Sequence, residues 1–202
     1  MNAAELRAKL LAVYEGSSLY QTNRDYLGMS GVGECPRAWY WRTVEPVPCR
    51  WEIWCAWTGY MHEARILELF EAGPMRREVV AEFDKRYRGH TDHEISDGTL
   101  IEIKSVSWAK YLRLFQARGD KRNRAQCQAY MRHGKFPHAI LIYVARDIPW
   151  EAFSGDVPLP FFTVDVWRDE AWMDELDNKA RRLLACIDSQ TPPPCTCGRC
   201  RR

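Results

Sequence analysis

Hydrophobic and polar residues alternate or cluster in five segments of the chain that predict strands. Alternation is typical of a strand with one buried face, and a short continuous apolar run is typical of a strand buried on both faces. A tight turn at Asp97 and Gly98 would join the second and third strands into an antiparallel hairpin. The five predicted strands are residues 78–83, 88–92, 100–104, 138–144 and 161–167.

Helical spacing of apolar residues predicts helices before, between and after these strands. One helix has Pro36 in its first turn, and another covers residues 58–70, with Thr58 as a candidate N-cap and Gly73 and Pro74 as the stop. Further helices are predicted over residues 3–14, over the segment that continues through 123–130, and over residues 169–186. This order of elements predicts an α/β protein in which helices flank a mixed sheet.

Length and composition restrict this fold to one globular domain. The chain has 202 residues, of which 46% are hydrophobic and 12% aromatic, and this composition excludes a disordered or low-complexity protein. The length suits one sizeable core rather than two. Because Pro192 to Pro194 cannot continue a helix, we expect a domain over residues 1–190 and a separate Cys-rich tail over residues 191–202.

The N-terminal 19 residues mix charged with apolar residues and contain no uninterrupted apolar run. We therefore expect neither a signal peptide nor a membrane anchor, and we predict a cytoplasmic protein. In a reducing compartment, the eight Cys are better interpreted as buried thiols or metal ligands than as disulfides.

The predicted hairpin carries the first candidate chemistry. Its antiparallel pairing brings Asp92 close to Glu102, and Lys104 lies two residues further along the same face. Paired carboxylates suit a hard divalent cation and an amine can polarise water, so the three groups fit metal-assisted phosphodiester hydrolysis. The alternative is an ordinary amphipathic strand whose Glu and Lys form a solvated outer face.

His62 is a second candidate at the same site. It shares a helix face with Ile66 and Leu69, so we expect it to point inward. A lone inward His is more often a core residue than a metal ligand, yet its position shortly before the acid pair keeps a ligand role open.

A basic segment with interleaved aromatic residues follows the hairpin. Phosphates would be attracted to its positive charge, and the rings of Trp108, Tyr111 and Phe115 could stack on unpaired bases. The alternative is a charged helix that is merely solvated. The basic residues of this segment are Lys110, Arg113, Arg118, Lys121, Arg122 and Arg124, opposed by Asp120.

The C-terminal tail contains a compact group of cysteines. Cys195, Cys197 and Cys200 fall within six residues after a rigid proline run, so they cannot all be buried as small hydrophobic side chains. We interpret them as metal ligands, and a tetrahedral or cubane site needs a fourth. Cys35 stands at a predicted helix start, where a ligand and a buried thiol are both open.

Four motifs follow one another in a specific order along the chain. They are Gly59-x-x-His62, Gly89-x-x-Asp92, Glu102-x-Lys104 and Gln126-x-x-x-Tyr130. This set resembles the PD-(D/E)XK nuclease superfamily, and within it the RecB-like branch of CRISPR-associated prespacer-trimming nucleases and phage exonucleases. The resemblance covers residues 30–145 and implies a restriction-endonuclease-like mixed sheet flanked by helices, with a Cys-rich metal clasp joining the N-terminal region to the tail.

The resemblance also implies roles for individual residues. Lys104 would position or activate the attacking water, and Gln126 and Tyr130 would orient the scissile strand. The implied ligands of Mg²⁺ or Mn²⁺ are His62, Asp92, Glu102 and the Ile103 carbonyl. The residues expected to contact DNA are Gln126, Tyr130, Arg37, Lys110, Arg113, Lys121, Arg122 and Arg124.

Members of this branch with a similar Cys distribution carry a [4Fe-4S] cluster, which implies a cluster held by Cys35, Cys195, Cys197 and Cys200. The C-x-C-x-x-C spacing of this tail is more compact than the family pattern. Cys186 could therefore replace Cys195, and Zn²⁺ could replace the cluster.

The leading hypothesis is a metal-dependent DNA exonuclease that acts on single strands or frayed ends. A structure-specific endonuclease and a DNA-binding subunit of a helicase or integration complex are the alternatives. A helicase, recombinase or integrase is a candidate protein partner, and a homo-oligomer is open because closed ring-shaped assemblies occur among similar nucleases.

Overall fold

The structure of the protein is a computed structural model that covers most of the chain. Two sequence predictions, the helix over residues 3–14 and the helix stop at Gly73 and Pro74, lie outside the described residues. The described residues are 25–45, 50–68, 77–149, 159–198 and 200, with the backbone alone for residues 50–57.

In the described part of the chain, seven strands form two mixed sheets. The first sheet has the order β1-β3-β2, in which β1 is parallel and β2 antiparallel to β3. The second has the order β4-β5-β6-β7, in which β5 and β6 are parallel and the two outer pairs antiparallel. The strands are β1 (Leu27–Gly28), β2 (Glu78–Val80), β3 (Tyr87–His90), β4 (His93–Glu94), β5 (Leu100–Val106), β6 (His138–Ala145) and β7 (Phe161–Trp167).

Helices flank these sheets, so the predicted fold class is confirmed. None of the described helices is both long and apolar enough to cross a membrane. A short 3-10 turn at Met29–Gly31 precedes the first helix. The helices are α1 (Pro36–Val44), α2 (Arg50–Leu67), α3 (Trp108–Ala117), α4 (Lys121–Gly134) and α5 (Glu170–Asp188).

The two faces of β5 contribute to different hydrophobic clusters. Ile101 and Ile103 pack with Leu67 of α2 and Ile142 of β6 in a small cluster. The opposite face of β5 belongs to the main core, which also contains buried residues of the first sheet, α4 and α5. Successive side chains of a strand point to opposite faces, so one strand serves both clusters.

The predicted hairpin is only partly correct. The turn at Asp97 and Gly98 is present, and the φ of +82° at Gly98 suits a residue without a Cβ. The strand that pairs with β5, however, is β4, with His93 opposite Ile101. Residues 87–90 pair instead with β2 in the first sheet, because the chain passes from one sheet to the other after His90.

Two helix boundaries also differ from the predictions. The helix predicted from Thr58 already begins at Arg50, since residues 50–57 contain neither Pro nor Gly to interrupt it. The basic segment predicted as one helix is divided into α3 and α4. Arg118 and Gly119 have φ values of 54° and 103°, which end α3, and Asp120 caps α4 by accepting from the backbone N of Arg122.

The glycine at position 31 allows a core tryptophan to approach the backbone closely. A Cβ there would lie 2.2 Å from Nε1 of Trp39, whose side chain is fully buried. We expect Gly31→Ala to lower the free energy of unfolding by about 1–3 kcal/mol, measured by urea denaturation, because the indole must move in a packed core.

Gly59→Ala is the matched control for this substitution. A Cβ at Gly59 meets no atom within 4 Å, and the residue lies inside α2. Alanine is favoured over glycine in a helix interior by about 0.5–1 kcal/mol, so this variant should be as stable as the wild type or slightly more stable. Equal destabilisation by both substitutions would contradict the steric argument.

Candidate active site

Glu102 lies at the centre of the site, on the main-core face of β5, with 1% of its surface exposed. Its Oε1 accepts a hydrogen bond of 2.8 Å from Nε2 of Gln126 and contacts Nζ of Lys104. Its Oε2 is buried, and no group in the described part of the chain donates to it. The interpretation of this strand face as a solvated outer surface is therefore wrong.

Asp92 lies beside Glu102 just before β4 begins. Extending the β4–β5 register by one residue places Asp92 opposite Glu102, because His93 pairs with Ile101. Oδ2 of Asp92 accepts a hydrogen bond of 2.7 Å from the backbone N of Ile103, which fixes the carboxylate against β5. The structure thus brings together the two acids and the amine that the sequence suggested.

Burial and neighbouring charges have opposite effects on the pKa values of Glu102 and Lys104. Burial raises the pKa of the Glu102 carboxyl above its ordinary value, while the charge of Lys104 opposes that rise. Burial also works against the charge of Lys104, but Glu102 and Asp92 outweigh it and raise the pKa of the ammonium. Lys104 is therefore held as a cation between two carboxylates.

Gln126 and Tyr130 extend from α4 beneath Glu102, and both side chains are buried. Nε2 of Gln126 also donates to the Tyr130 hydroxyl at 3.2 Å, and that hydroxyl donates to the carbonyl of His90 at 2.8 Å. These bonds tie α4 to β5 and β3. The observed contacts give the pair a positioning role, and direct contact with a scissile strand stays a prediction.

Gly89 provides the space for this arrangement. A Cβ at Gly89 would lie 2.8 Å from Cε1 and 2.9 Å from the hydroxyl oxygen of Tyr130. The Gly89-x-x-Asp92 motif therefore has a steric basis, since only a glycine lets the tyrosine ring pack on β3. Gly59 of the first motif has no comparable contact among the described residues.

His62 is half-buried on α2, one turn before Ile66, which packs inward as predicted. Among the described residues, a ring nitrogen of His62 and carboxylate oxygens of Asp92 and Glu102 do not all lie within 4.8 Å of one another. The next residue, Glu63, is close enough for its charge to raise the pKa of Glu102. Sequence reasoning missed Glu63, although its position beside His62 was a usable signal.

The basic residues expected to contact DNA differ in their surroundings. Lys110, Arg113 and Lys121 are exposed, as a nucleic-acid surface requires. Arg122 is exposed but forms an ion pair with Glu34.

Arg124 and Arg37 are less accessible than the other predicted DNA contacts. Arg124 is half-buried, and its Nη2 donates to the carbonyl of Arg118 at 2.8 Å. Nε of Arg37 is buried and has no acceptor among the described residues. Contact with DNA stays a prediction for all of these residues.

The aromatic residues of α3 differ in how far they are buried. Tyr111 is buried, and Trp108 stacks on it with 5.3 Å between the ring centroids. Phe115 is 45% exposed and is therefore the ring of this helix that is most accessible to a base.

The cysteine clasp consists of Cys35, Cys195, Cys197 and Cys200. Their four sulfur atoms all lie within 4.8 Å of one another, with 3.7 Å between Cys195 and Cys197 and 3.2 Å between Cys197 and Cys200. Cys35 precedes Pro36 at the N-cap of α1, as the sequence predicted. The clasp thus brings the tail to the N-terminal part of the described chain.

The cysteine that lies beside the three tail cysteines is Cys35, whereas Cys186 packs against the main core. Burial alone would raise the pKa of the Cys35 thiol, but hydrogen bonds from the hydroxyl and amide of Thr196 outweigh it and lower that pKa to about 5. A thiolate at Cys35 suits metal coordination.

The hydrogen bond from Gln126 to Glu102 generates a prediction about metal binding. Glu102 is a predicted ligand of Mg²⁺ or Mn²⁺, and loss of a partner that orients a metal ligand costs about 10- to 100-fold in metal affinity. We expect Gln126→Leu to raise the dissociation constant for Mn²⁺ by about that factor, measured by isothermal titration calorimetry.

Gln128→Leu is the matched control on the same helix. Gln128 is also buried, but its amide bonds the carbonyl of Trp167 at 2.7 Å and the backbone N of Asp169 at 3.1 Å, away from Glu102. This variant should lose stability and keep its Mn²⁺ affinity. The same loss of affinity in both variants would contradict a specific role for Gln126.

No protein-family model matches the sequence, and no curated protein matches it closely enough to count as a relative. Solved structures do match the fold. The structure of LHK-Exo in complex with dAMP superposes with a TM-score of 0.61 at 15% identity, covering 82% of this chain and 89% of the other.

Two further structures have comparable scores. The alkaline exonuclease LHK-Exo from Laribacter hongkongensis has a TM-score of 0.58 at 14% identity and covers 85% of this chain and 92% of its own. SSO0001 has a TM-score of 0.57 at 17% identity, with 91% and 86% covered. The chain therefore shares its fold with LHK-Exo and SSO0001.

Proposed function

We propose that the protein is a divalent-metal-dependent deoxyribonuclease that shortens single-stranded or frayed DNA from an end. The observation that carries the proposal is the buried Oε2 of Glu102, which has no donor among the described residues and lies beside Asp92. A buried carboxylate oxygen without a partner is costly, and a bound Mg²⁺ or Mn²⁺ would satisfy it.

The groups around Glu102 suit a hard cation because they are mostly oxygen atoms. Asp92, Glu102 and the Ile103 carbonyl are the proposed oxygen ligands, with His62 as the nitrogen ligand and Glu63 as a further acid near the site. When bound, the metal would polarise the scissile phosphate and lower the pKa of a water molecule.

Lys104 supplies a fixed positive charge to the same site. Its raised pKa keeps the ammonium protonated at neutral pH, so it can donate a hydrogen bond to a phosphate oxygen or to a water. Lys104 would therefore position or activate the attacking water beside the metal. Gln126 holds Glu102 in place for this arrangement.

The choice of an exonuclease is supported by the fold. Two of the similar structures are of LHK-Exo, which is described as an alkaline exonuclease and was crystallised with dAMP. The exposed residues Lys110 and Arg113, together with Phe115, give α3 the charge and the ring that would guide a single strand toward β5.

We expect Glu102→Gln and Lys104→Met each to lower the cleavage rate at least about 100-fold, because each removes charge from the reacting centre. The assay measures cleavage of 5′- and 3′-labelled single and double strands with Mg²⁺ or Mn²⁺. Lys85→Met is the matched control, since Lys85 is exposed and lies on the turn before β3. It should leave the rate unchanged.

Several outcomes would reject parts of this proposal. Full activity in either active-site variant would overturn the assignment of Glu102 and Lys104. Cleavage of a closed single-stranded circle would show an endonuclease. DNA binding by the wild type without measurable cleavage would favour a binding subunit of a larger complex.

We also propose that the cysteine clasp holds a metal group, which the lowered pKa of Cys35 and the convergence of four sulfur atoms support. Sulfur ligands at about 2.3 Å from one tetrahedral ion lie about 3.8 Å apart. Four converging sulfur atoms suit either Zn²⁺ or the [4Fe-4S] cluster that the sequence resemblance implies.

We expect Cys197→Ser to lose most of the clasp metal and Cys186→Ser to retain it, because only Cys197 belongs to the clasp. Zinc and iron are measured per chain by elemental analysis after anaerobic purification. A colourless zinc protein without iron would exclude the cluster, and an iron content matching [4Fe-4S] would exclude zinc. Equal metal loss in both variants would contradict the assignment of the ligands.

A further inference from the structure

Helix α4 connects the active site to a second contact near its N-terminal end. Arg122, Gln126 and Tyr130 are spaced by four residues, so they lie on one side of the helix along about 12 Å. Gln126 binds Glu102, and Tyr130 binds the backbone of His90. Arg122 forms its ion pair with Glu34, the residue before the clasp ligand Cys35.

Glu34 precedes the clasp residue Cys35 and contacts side chains from three helices. Its side chain is only 10% exposed and accepts from Nη1 of Arg42 in α1 at 2.5 Å, as well as from Arg122 in α4. Its backbone carbonyl accepts from Nζ of Lys179 in α5 at 2.5 Å. A carboxylate held by two guanidinium groups has little freedom to move.

The backbone around Glu34 is equally restricted. A Cβ at Gly33 would lie 2.5 Å from Cα and 2.7 Å from the carbonyl oxygen of Arg122, so the loop packs directly on the first turn of α4. Nζ of Lys179 also donates to the carbonyl of Val32 at 2.6 Å. The loop that carries Glu34 is therefore in direct contact with both α4 and α5.

We propose that Glu34 is a positioning residue of the active site. Its ion pair with Arg122 sets the position of α4, and α4 in turn sets Glu102 through Gln126. The expected effect of Glu34 on the cleavage rate rests on the proposed nuclease function. Its effect on the position of α4 does not depend on that function. Glu34 touches neither Glu102 nor a substrate, so its effect on the reaction is indirect.

A different role would follow if Glu34 served the clasp alone. Metal content would then fall in Glu34 variants, and activity would fall in proportion to it. A role in packing α1 would instead make the Arg42 contact as important as the Arg122 contact. The three roles differ in measurable ways.

The experiment compares Glu34→Gln and Arg122→Gln with Arg42→Gln as the matched control. Hydrogen exchange is followed in residues 121–134 and 100–106, which include the Ile103 amide that is bonded to Asp92. We expect faster exchange in both segments for the first two variants. Arg42→Gln keeps the Glu34–Arg122 pair and should exchange like the wild type.

The kinetic measurement uses the same variants with labelled single-stranded DNA. Substitution of a residue that directly orients a metal ligand typically lowers metal affinity or activity by about 10- to 100-fold. Glu34 acts on Gln126 only through α4, so its substitution should have a smaller effect. We expect Glu34→Gln to lower kcat by about three- to tenfold and to leave KM within twofold, with the clasp metal retained. The double variant Glu34→Gln, Arg122→Gln should have the kcat of the single variants.

Three results would overturn the proposal. They are unchanged exchange in both segments for Glu34→Gln, an equal effect of Arg42→Gln, and loss of clasp metal in proportion to activity. Arg122→Gln breaks the same ion pair from α4, and its hydrogen exchange, which does not depend on DNA contact, supplies the test should Glu34→Gln fold poorly. A wild type without cleavage would reject the proposed nuclease, whereas the exchange comparison would still decide the role of Glu34.

Discussion

The burial of the Glu102 carboxylate is the constraint on which the candidate site depends. A carboxylate removed from water costs several kcal/mol unless its oxygens find partners. One oxygen is satisfied by Gln126 and Lys104, and the other has no partner among the described residues. The fold therefore satisfies one oxygen of this buried carboxylate and leaves the other without a partner among the described residues, as the proposed metal site requires.

The side chains of β5 alternate between two faces of the sheet, and this alternation allows a hydrophobic strand to carry a buried carboxylate. Ile101 and Ile103 secure the strand against α2, so the opposite face can carry charge without loosening the strand. Leu100 and Val106 continue the main core on either side of Glu102 and Lys104. Apolar neighbours thus surround the buried carboxylate of Glu102, and the low local dielectric strengthens its electrostatic contact with Lys104.

The sequence predicted several single strands and helices well, but it did not predict which of them pair or pack with one another. The apolar pattern of residues 161–167 gave the bounds of β7, and Asp169 marked the start of α5. The partner of β5 was assigned wrongly because nothing local distinguishes a pairing strand from one that belongs to a neighbouring sheet. The ion pair between Glu34 and Arg122 joins residues 88 positions apart, so no periodicity could have indicated it.

The cysteine clasp joins parts of the chain that are distant in sequence. Thr196, between two clasp residues, donates to the sulfur of Cys35 from 161 positions away. A metal held by the four sulfur atoms would close a long loop in the unfolded chain and remove conformational entropy from it, on the order of 5 kcal/mol in the chain-entropy model. With the proposed metal bound, the clasp would be a reversible cross-link, and the resistance of the fold to unfolding would then depend on the thiol chemistry of its surroundings as well as on temperature.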